Sequence, residues 1–359
     1  MAGEAYTSVP APSNAALDLS APLATEARRW DTCGMSQLRL LDAAAVRALL
    51  PMERCIGLMR DAFVLVSEGR ALQPIRQKLS TPDARGLLGW MPGWTAEPER
   101  LGVKVISIFP EAVAKGVKSH QGVVMLFDAQ DGRPLALLEA GEITAIRTAA
   151  ATAAATDVLA PAEVSTLALF GCGDQARTHL DALTRVRRFE RVVVWARDPA
   201  KARAFCDTAE TDLPIAPVAT AEEAAAADVL TLVTGAPRPF FQGAWLRPGQ
   251  HLNLVGSSVP TTAEVDVETV LRSRMFTDYR DSALALAGEL REALETGAVT
   301  EAHLLGEVGE VILGRLEGRR SAEDITLFKS LGMAAEDLLS ADWILREAER
   351  TGTGLVADW

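Results

Sequence analysis

The chain has 359 residues, 48% of them hydrophobic, with 36 basic against 48 acidic residues and a formal net charge of −12. That length and apolar content suit two domains with sizeable cores, and the acidic balance argues against nucleic acid or an anionic membrane surface as partner. No apolar run approaches the ~18 residues of a membrane span, and Cys33, Cys55, Cys172 and Cys206 show neither CxxC nor zinc spacing, so they read as reduced thiols of a cytoplasmic protein.

Residues 1–34 are rich in Ala, Pro and Ser and lack both a basic start and a long apolar core, so they read as a flexible tail rather than a signal peptide. Periodic structure begins near Met35. Leu41–Gly69 reads as helical, with Ile56, Met59, Phe63 and Val64 along an amphipathic stretch. From Arg76 to Ala140 the pattern is mostly β. Leu101–Phe109 is one strand, and Val123–Asp128 with Pro134–Glu139 form a hairpin about Gln130-Asp131-Gly132. Gly141–Leu159 is a helix almost wholly of Ala and Thr, small enough for very close packing. Five short apolar segments follow: Leu167–Phe170, Arg191–Trp195, Val229–Val233, Leu252–Val255 and Met275–Thr277. They alternate with helical stretches and end in small polar residues or Asp278, which predicts an open parallel sheet of α/β type, with ligands at the carboxyl ends of the strands. A glycine-rich segment, Gly306–Gly318, precedes the last strong helix, from about Ala334 to Arg350.

The most specific of these segments is Ser165–Thr178. An apolar strand runs into Gly171-Cys172-Gly173, and a helix begins near Gln175. This is the entry of a dinucleotide-binding unit. Gly171 permits the tight turn, Gly173 lets the backbone approach a pyrophosphate, and Ala176 lets helix and strand pack closely. Asp174 fits beside a pyrophosphate only with its side chain turned outward. At the end of the second strand, NAD-selective sites carry an acid for the ribose 2′-hydroxyl. Here Ala196 holds that position and Arg197 follows, which suits a 2′-phosphate and favours NADP(H) over NAD(H). If Arg197 and Asp198 are ordinary loop charges, Asp198 can still serve NAD.

Three basic residues stand out upstream. Lys104 shares a strand face with Ile106 and Ile108. An unpaired lysine there is driven toward its neutral form, so it needs a carboxylate partner, such as a substrate, or lies at an edge and snorkels. Arg147 sits in the Ala/Thr helix, where it either reaches solvent or points into a cleft. Arg76 follows a turn at Pro74. His120, His179, His251 and His303 form no ligand spacing, so no metal site is expected.

Together these segments resemble the ornithine cyclodeaminase/mu-crystallin family, over nearly everything from Met35 to about Gly354. The markers are Gly102-Val103-Lys104-Val105, Phe109-Pro110, Ser119-His120-Gln121-Gly122, Leu126-Phe127-Asp128, Thr144–Ala150, Gly171–Gln175 and Asp324–Gly332. The resemblance implies residues 35–148 with 320–359 as an α/β substrate-binding and dimerisation domain, and 149–319 as a Rossmann NAD(P)-binding domain. It implies a homodimer that binds NAD(H) or NADP(H) and acts on amino acids or their imines, by cyclodeamination, ketimine reduction or amino-acid dehydrogenation. By position, Arg76, Lys104 and Arg147 resemble the residues holding the substrate carboxylate, with Lys104 also placed to give a proton to nitrogen. Ser119, Thr148, Gly173, Asp174, Gln175, Thr234, Gly256 and Ser330 match cofactor-contacting positions. Ser257, beside Gly256, joins that set with Gly171, Ala196 and Arg197, and Leu331 matches a position lining the substrate site.

Two departures bear on the reaction. Cyclodeaminases of the family carry an aspartate where this chain has Ser258, in Gly256-Ser257-Ser258-Val259-Pro260, and a glutamate where it has Gly89, before Trp90-Met91-Pro92. Ring formation with loss of ammonia relies on nearby carboxylates, whereas C=N reduction needs only carboxylate recognition, a proton donor and hydride. The expectation is an NAD(P)H-dependent imine (ketimine) reductase or amino-acid dehydrogenase of small α-imino acids. The alternatives are an ornithine- or lysine-type cyclodeaminase and a non-catalytic NADPH-binding protein. Trp90 and Trp94 either wall the substrate pocket or are core or dimer-contact aromatics.

Overall fold

The structure, a computed structural model, describes residues 36–359. The tail expected at residues 1–34, with Cys33, lies outside the described residues. Two eight-stranded sheets carry the chain.

The first sheet contains β1 (Gln37–Leu41), β2 (Ala71–Leu72), β3 (Gln77–Ser80), β4 (Leu87–Ala96), β5 (Glu99–Ile108), β6 (His120–Asp128), β7 (Pro134–Glu139) and, from the C-terminus, β16 (Leu355–Asp358). Their order is β16-β1-β7-β6-β5-β4-β2, with β3 also paired to β4; all pairs are antiparallel except β1 with β7. The expected helix over Leu41–Gly69 is two helices, α1 (Ala43–Leu49) and α2 (Met52–Ser67). Pro51 separates them, because it has no N–H to give and disfavours helical backbone in Leu50 before it.

The second sheet is wholly parallel. It contains β8 (Thr166–Phe170), β9 (Arg191–Trp195), β10 (Ile215–Pro217), β11 (Val229–Leu232), β12 (His251–Leu254), β13 (Arg274–Thr277), β14 (Leu304–Glu307) and β15 (Thr326–Lys329), in the order β10-β9-β8-β11-β12-β15-β13-β14. The strand order reverses between β8 and β11, which opens the crevice where doubly wound sheets take ligands.

The linking helices are α3 (Ala140–Leu159), α4 (Asp174–Val186), α5 (Pro199–Thr208), α6 (Ala221–Ala224), α7 (Val267–Leu271), α8 (Arg280–Leu286), α9 (Gly288–Glu295), α10 (Val308–Ile312) and α11 (Ala334–Thr351). The glycine-rich stretch from Gly306 to Gly318 thus holds the end of β14 and α10. Among the described residues no helix is long and apolar enough to cross a membrane.

The sheets do not follow the expected domain limits. β15 lies in the second sheet, between β12 and β13, although residues 320–359 were assigned with the first. All four of its residues are buried, which suits a central parallel strand and leaves no alternation to mark it in the sequence. The other limit, between 148 and 149, falls inside α3. That helix starts from the Glu139 carboxylate, which accepts the N–H groups of Gly141 at 2.9 Å and Glu142 at 2.8 Å. It is then buried on nearly every side, and its Ala and Thr side chains let α2, α4 and α11 approach together. One core therefore joins α2, α3 and α11 to β8 and β9 of the other sheet.

Candidate active site

The glycine turn after β8 has the shape its sequence requires. Gly171 adopts φ +111°, and a Cβ there would stand 2.9 Å from the Val233 carbonyl oxygen, so only glycine fits. Gly173 begins α4 with open space where a Cβ would project. Asp174 is exposed, while Ala176 is buried against the core. The Gln175 side-chain oxygen is buried without a hydrogen-bond partner among the described residues. His179 fastens this turn of α4 to α3. Burial pulls its imidazole down to about 4, so it is neutral, with Nδ1 donating to the Gln175 carbonyl at 2.7 Å and Nε2 accepting from Thr152 at 3.1 Å.

The other expected cofactor positions gather at the same edge. Ala196 and Arg197 follow β9, Thr234 follows β11, Gly256 and Ser257 follow β12, and Ser330 follows β15. Strand ends are in register, Phe170 with Trp195 and Leu232, and Leu254 with Lys329. Arg197 is exposed and forms no ion pair among the described residues. Asp198 caps α5, accepting the Ala200 and Lys201 N–H groups at 3.0 and 3.4 Å. Two of these residues turn inward. The Ser257 hydroxyl donates to the Thr262 carbonyl at 2.6 Å, and the Thr234 hydroxyl lies 2.7 Å from Glu264, so neither side chain faces the crevice as a free donor. Thr148 is buried on α3 beside Arg147. Ser119 immediately precedes β6, its hydroxyl 2.9 Å from His120 Nδ1.

The three basic residues meet in one cluster, Lys104 and Arg147 buried and Arg76 half-buried. In antiparallel register Lys104 stands opposite Met91 and Val124, on the face covered by α11. Close approach of that helix depends on Gly102, whose added Cβ would lie 2.6 Å from Leu338. The helix brings two carboxylates with it. Lys104 Nζ lies 2.7 Å from Asp337, Arg147 Nε lies 3.1 Å from Asp337, and Arg147 Nη1 lies 2.6 Å from Glu336. Lys104 and Arg147 are 4% and 5% exposed, so neither snorkels to water. Arg76 reaches the same cluster from the segment before β3 and, among the described residues, donates only to the carbonyls of Leu331 and Gly332. Asp278, at the end of β13, fixes that turn from the other side, accepting the N–H groups of Leu331 at 2.5 Å and Gly332 at 2.6 Å. The Ser330–Gly332 turn thus joins the basic cluster to the carboxyl edge of the dinucleotide-type sheet.

These surroundings shift the titrating groups. Burial, then the Arg147 and Arg76 charges, pull Lys104 down to about 8 against the opposite pull of Asp337. Burial, with Asp278 and Asp337 nearby, pushes Glu336 up to about 7 despite Arg147. Arg76 is lowered by burial and by Arg147. Asp337 and Glu336 were not picked out from the sequence. The available signal is an acidic pair inside Ala335-Glu336-Asp337-Leu338, apolar on both sides.

Trp90 requires a correction. It pairs with Val105 and Trp94 with Leu101, whereas Lys104 pairs with Met91. Adjacent residues of a strand point to opposite faces, so Trp90 and Trp94 lie on the far side of the sheet from Lys104 and do not wall its pocket. Gly89, opposite Ile106, is on the Lys104 face, and a side chain there would meet only ordinary contacts from 3.6 Å outward. Ser258 lies in the partly exposed loop after β12, and Leu331 is buried within the clamped turn.

Known proteins resemble this chain in sequence and fold. The description of the ornithine cyclodeaminase/mu-crystallin family matches residues 37–352. A ketimine reductase mu-crystallin of Mus musculus is 35% identical over 274 residues, covering 76% of this chain and 84% of that protein. The structure of Thermococcus litoralis Delta(1)-pyrroline-2-carboxylate reductase, in complex with NADH and L-proline, matches with TM-score 0.85 and 34% identity, over 88% of this chain and 99% of that one. An archaeal alanine dehydrogenase dimer with bound NAD matches with TM-score 0.86 and 29% identity, over 90% of this chain and all 100% of that one.

Proposed function

The chain belongs to the ornithine cyclodeaminase/mu-crystallin family, and we propose that it is an NAD(P)H-dependent imine (ketimine) reductase, or in the oxidative direction an amino-acid dehydrogenase, of small α-imino acids. The observation that carries this reading is Arg76. It is a cation in that cluster with no carboxylate in ion-pair range among the described residues, beside Lys104 and Arg147, which have theirs. A substrate carboxylate supplies the missing partner. The named relatives that reduce ketimines and pyrroline-2-carboxylate support the substrate class.

The residues suit a dinucleotide at the carboxyl edge of the second sheet. The Gly171–Gly173 turn and the start of α4 take the pyrophosphate, and the unpartnered Gln175 oxygen accepts from the cofactor. When bound, the reduced nicotinamide supplies the hydride for the imine carbon. The chain does the rest. Arg76 and Arg147 hold the substrate carboxylate. Lys104 gives its proton to the imine nitrogen and recovers one from solvent afterwards. Asp337 keeps Lys104 charged and aimed. Ser258 and Gly89 leave the site without the two carboxylates that ring-forming deamination uses, and Asp337 and Glu336 are committed to ion pairs.

The preferred dinucleotide is NADPH. Arg197 stands unpaired at the strand end among the described residues, and Asp198 turns one carboxylate oxygen, Oδ1, to the α5 cap. A screen of NADPH and NADH oxidation across cyclic and acyclic α-imino acids tests both parts of the reading. Turnover with NADPH in excess over NADH is expected. Arg197→Ala should raise the KM for NADPH about 10-fold and leave NADH nearly unchanged, the size of one lost hydrogen bond to a charged group. Release of ammonia from ornithine or lysine with catalytic NAD would move the assignment to cyclodeamination. Equal use of both dinucleotides would remove the role given to Arg197.

The working unit is a homodimer. The face of the first sheet away from α11 carries Leu72, Leu79, Leu88 and Leu101, which are 42–66% exposed, together with Trp90 and Trp94. A contiguous apolar face of this kind marks an interface, and a second copy is self-complementary to it. Light scattering at micromolar concentration should give twice the chain mass; a monomer would reject the pairing.

A further inference from the structure

Beneath the carboxyl ends of β11, β12 and β15 lie three charged side chains with no part in the chemistry above. Glu264 and Lys329 are 0% exposed and Glu289 is 1% exposed. Each is tied to a loop that faces the crevice. Glu264 Oε1 accepts the Thr234 N–H at 2.8 Å and the Thr234 hydroxyl at 2.7 Å, and Oε2 accepts the Gly256 N–H at 2.8 Å. Glu289 accepts the Glu264 N–H at 3.1 Å. Lys329 Nζ lies 3.3 Å from Glu289 and donates to the Ser257 carbonyl at 2.6 Å. One carboxylate thus fastens the loop after β11 to the loop after β12, and Lys329, the last residue of β15, fastens the second of these to Ser330 and the substrate turn. The loops are close enough that a Cβ on Gly256 would run into the Thr234 carbonyl and the Glu264 carboxylate.

The topology says which part of a dinucleotide these loops meet. The adenosine ribose belongs at the end of β9 and the pyrophosphate at the turn after β8. The other half then extends over β11 and β12, toward Lys104 and Arg76. We propose that Glu264 is a positioning residue for the nicotinamide half of the site, setting the shape of both loops through Glu289 and Lys329 without touching the cofactor. The inference rests on the dinucleotide reading given above. Charge and shape both count here. Two carboxylate oxygens serve three donors on two loops, and the nitrogen of a glutamine would face an N–H donor with another donor.

The test is equilibrium binding to the full chain, using NADPH, NADH and the fragments adenosine 2′,5′-bisphosphate and ADP, which lack the nicotinamide half. Glu264→Gln should weaken whichever dinucleotide the wild type binds by about 10-fold or more, and leave the matching fragment within about 2-fold. A loosened fold would weaken fragment and dinucleotide alike. Glu289→Gln, which leaves the Thr234 and Gly256 N–H groups their acceptor, should act in the same direction at roughly 3-fold and serves where the first variant does not fold. Wild-type binding with unchanged dinucleotide affinity in the variants, or parallel loss of the fragment, overturns this inference alone. A wild type that binds neither dinucleotide overturns the reading beneath it as well.

Discussion

Lys104→Ala is expected to lower turnover by at least ~100-fold, the ordinary contribution of a positioned general acid, with cofactor affinity little changed. The lysine is buried, is held 2.7 Å from Asp337, and stands beside Arg147 and Arg76, the two arginines proposed to hold the substrate carboxylate. Its depression to about 8 means that it carries a proton at neutral pH and releases one more readily than an exposed lysine. The sign of the pH dependence follows. A reaction that needs the ammonium is fast below about 8 and slows as pH rises through that value. Asp337→Asn removes a group that favours the charged form, so the falling limb should move to lower pH. Initial rates of imine reduction across pH, with NADPH saturating, report both effects. Near-normal turnover in Lys104→Ala, or a falling limb that stays in place in Asp337→Asn, would sink the assignment.

Arg147→Met should cost about 3–5 kcal/mol of folding stability, as breaking a buried ion pair leaves a charge without compensation. Glu336 loses the cation it pairs with among the described residues, while Asp337 keeps Lys104. Since a whole domain is stable by only about 5–15 kcal/mol, the loss is a large share of the total. Adding Glu336→Gln to the variant should restore part of it, because the stranded carboxylate is then neutral. Urea unfolding of the two variants and the wild type measures both terms. A loss below about 1 kcal/mol would show that the cluster is relieved by water or rearrangement rather than by Arg147. Activity is a separate matter, because the same side chain is assigned to the substrate carboxylate.

What could be read from the sequence is what a short stretch of chain encodes locally. Gly171 and Gly173 mark a turn by their own conformational freedom, and the small residues after each strand place the crevice. Lys104 announces itself by standing among Val and Ile, where a bare charge is costly. Its partner does not, because Asp337 lies 233 positions further on and looks like an ordinary acid in the first turn of a helix. Trp90 could not be placed from the sequence alone for a related reason. Alternation along β4 divides its residues into two sets, but only the register with β5, Met91 opposite Lys104, says which set shares the lysine's face. Glu264 in Thr262-Ala263-Glu264-Val265 looks like a loop charge, and only the packing of two loops against it gives it a task. The strand at Thr326–Lys329 went unassigned because four consecutive buried residues have no period to display.

Helix α3 governs how a chain of this kind can diverge. From Ala149 to Ala155 its side chains are fully enclosed between elements of both sheets. Any enlargement there presses on both halves at once, so drift in this stretch is confined to side chains of nearly the same volume. The segment after β9, where Arg197 and Asp198 are exposed, faces no such wall and can change in charge. Charge at that segment can therefore shift while the spacing between the two sheets stays fixed. The two halves are inherited as one piece, and recombination between relatives should favour crossover points in loops over any cut through this helix.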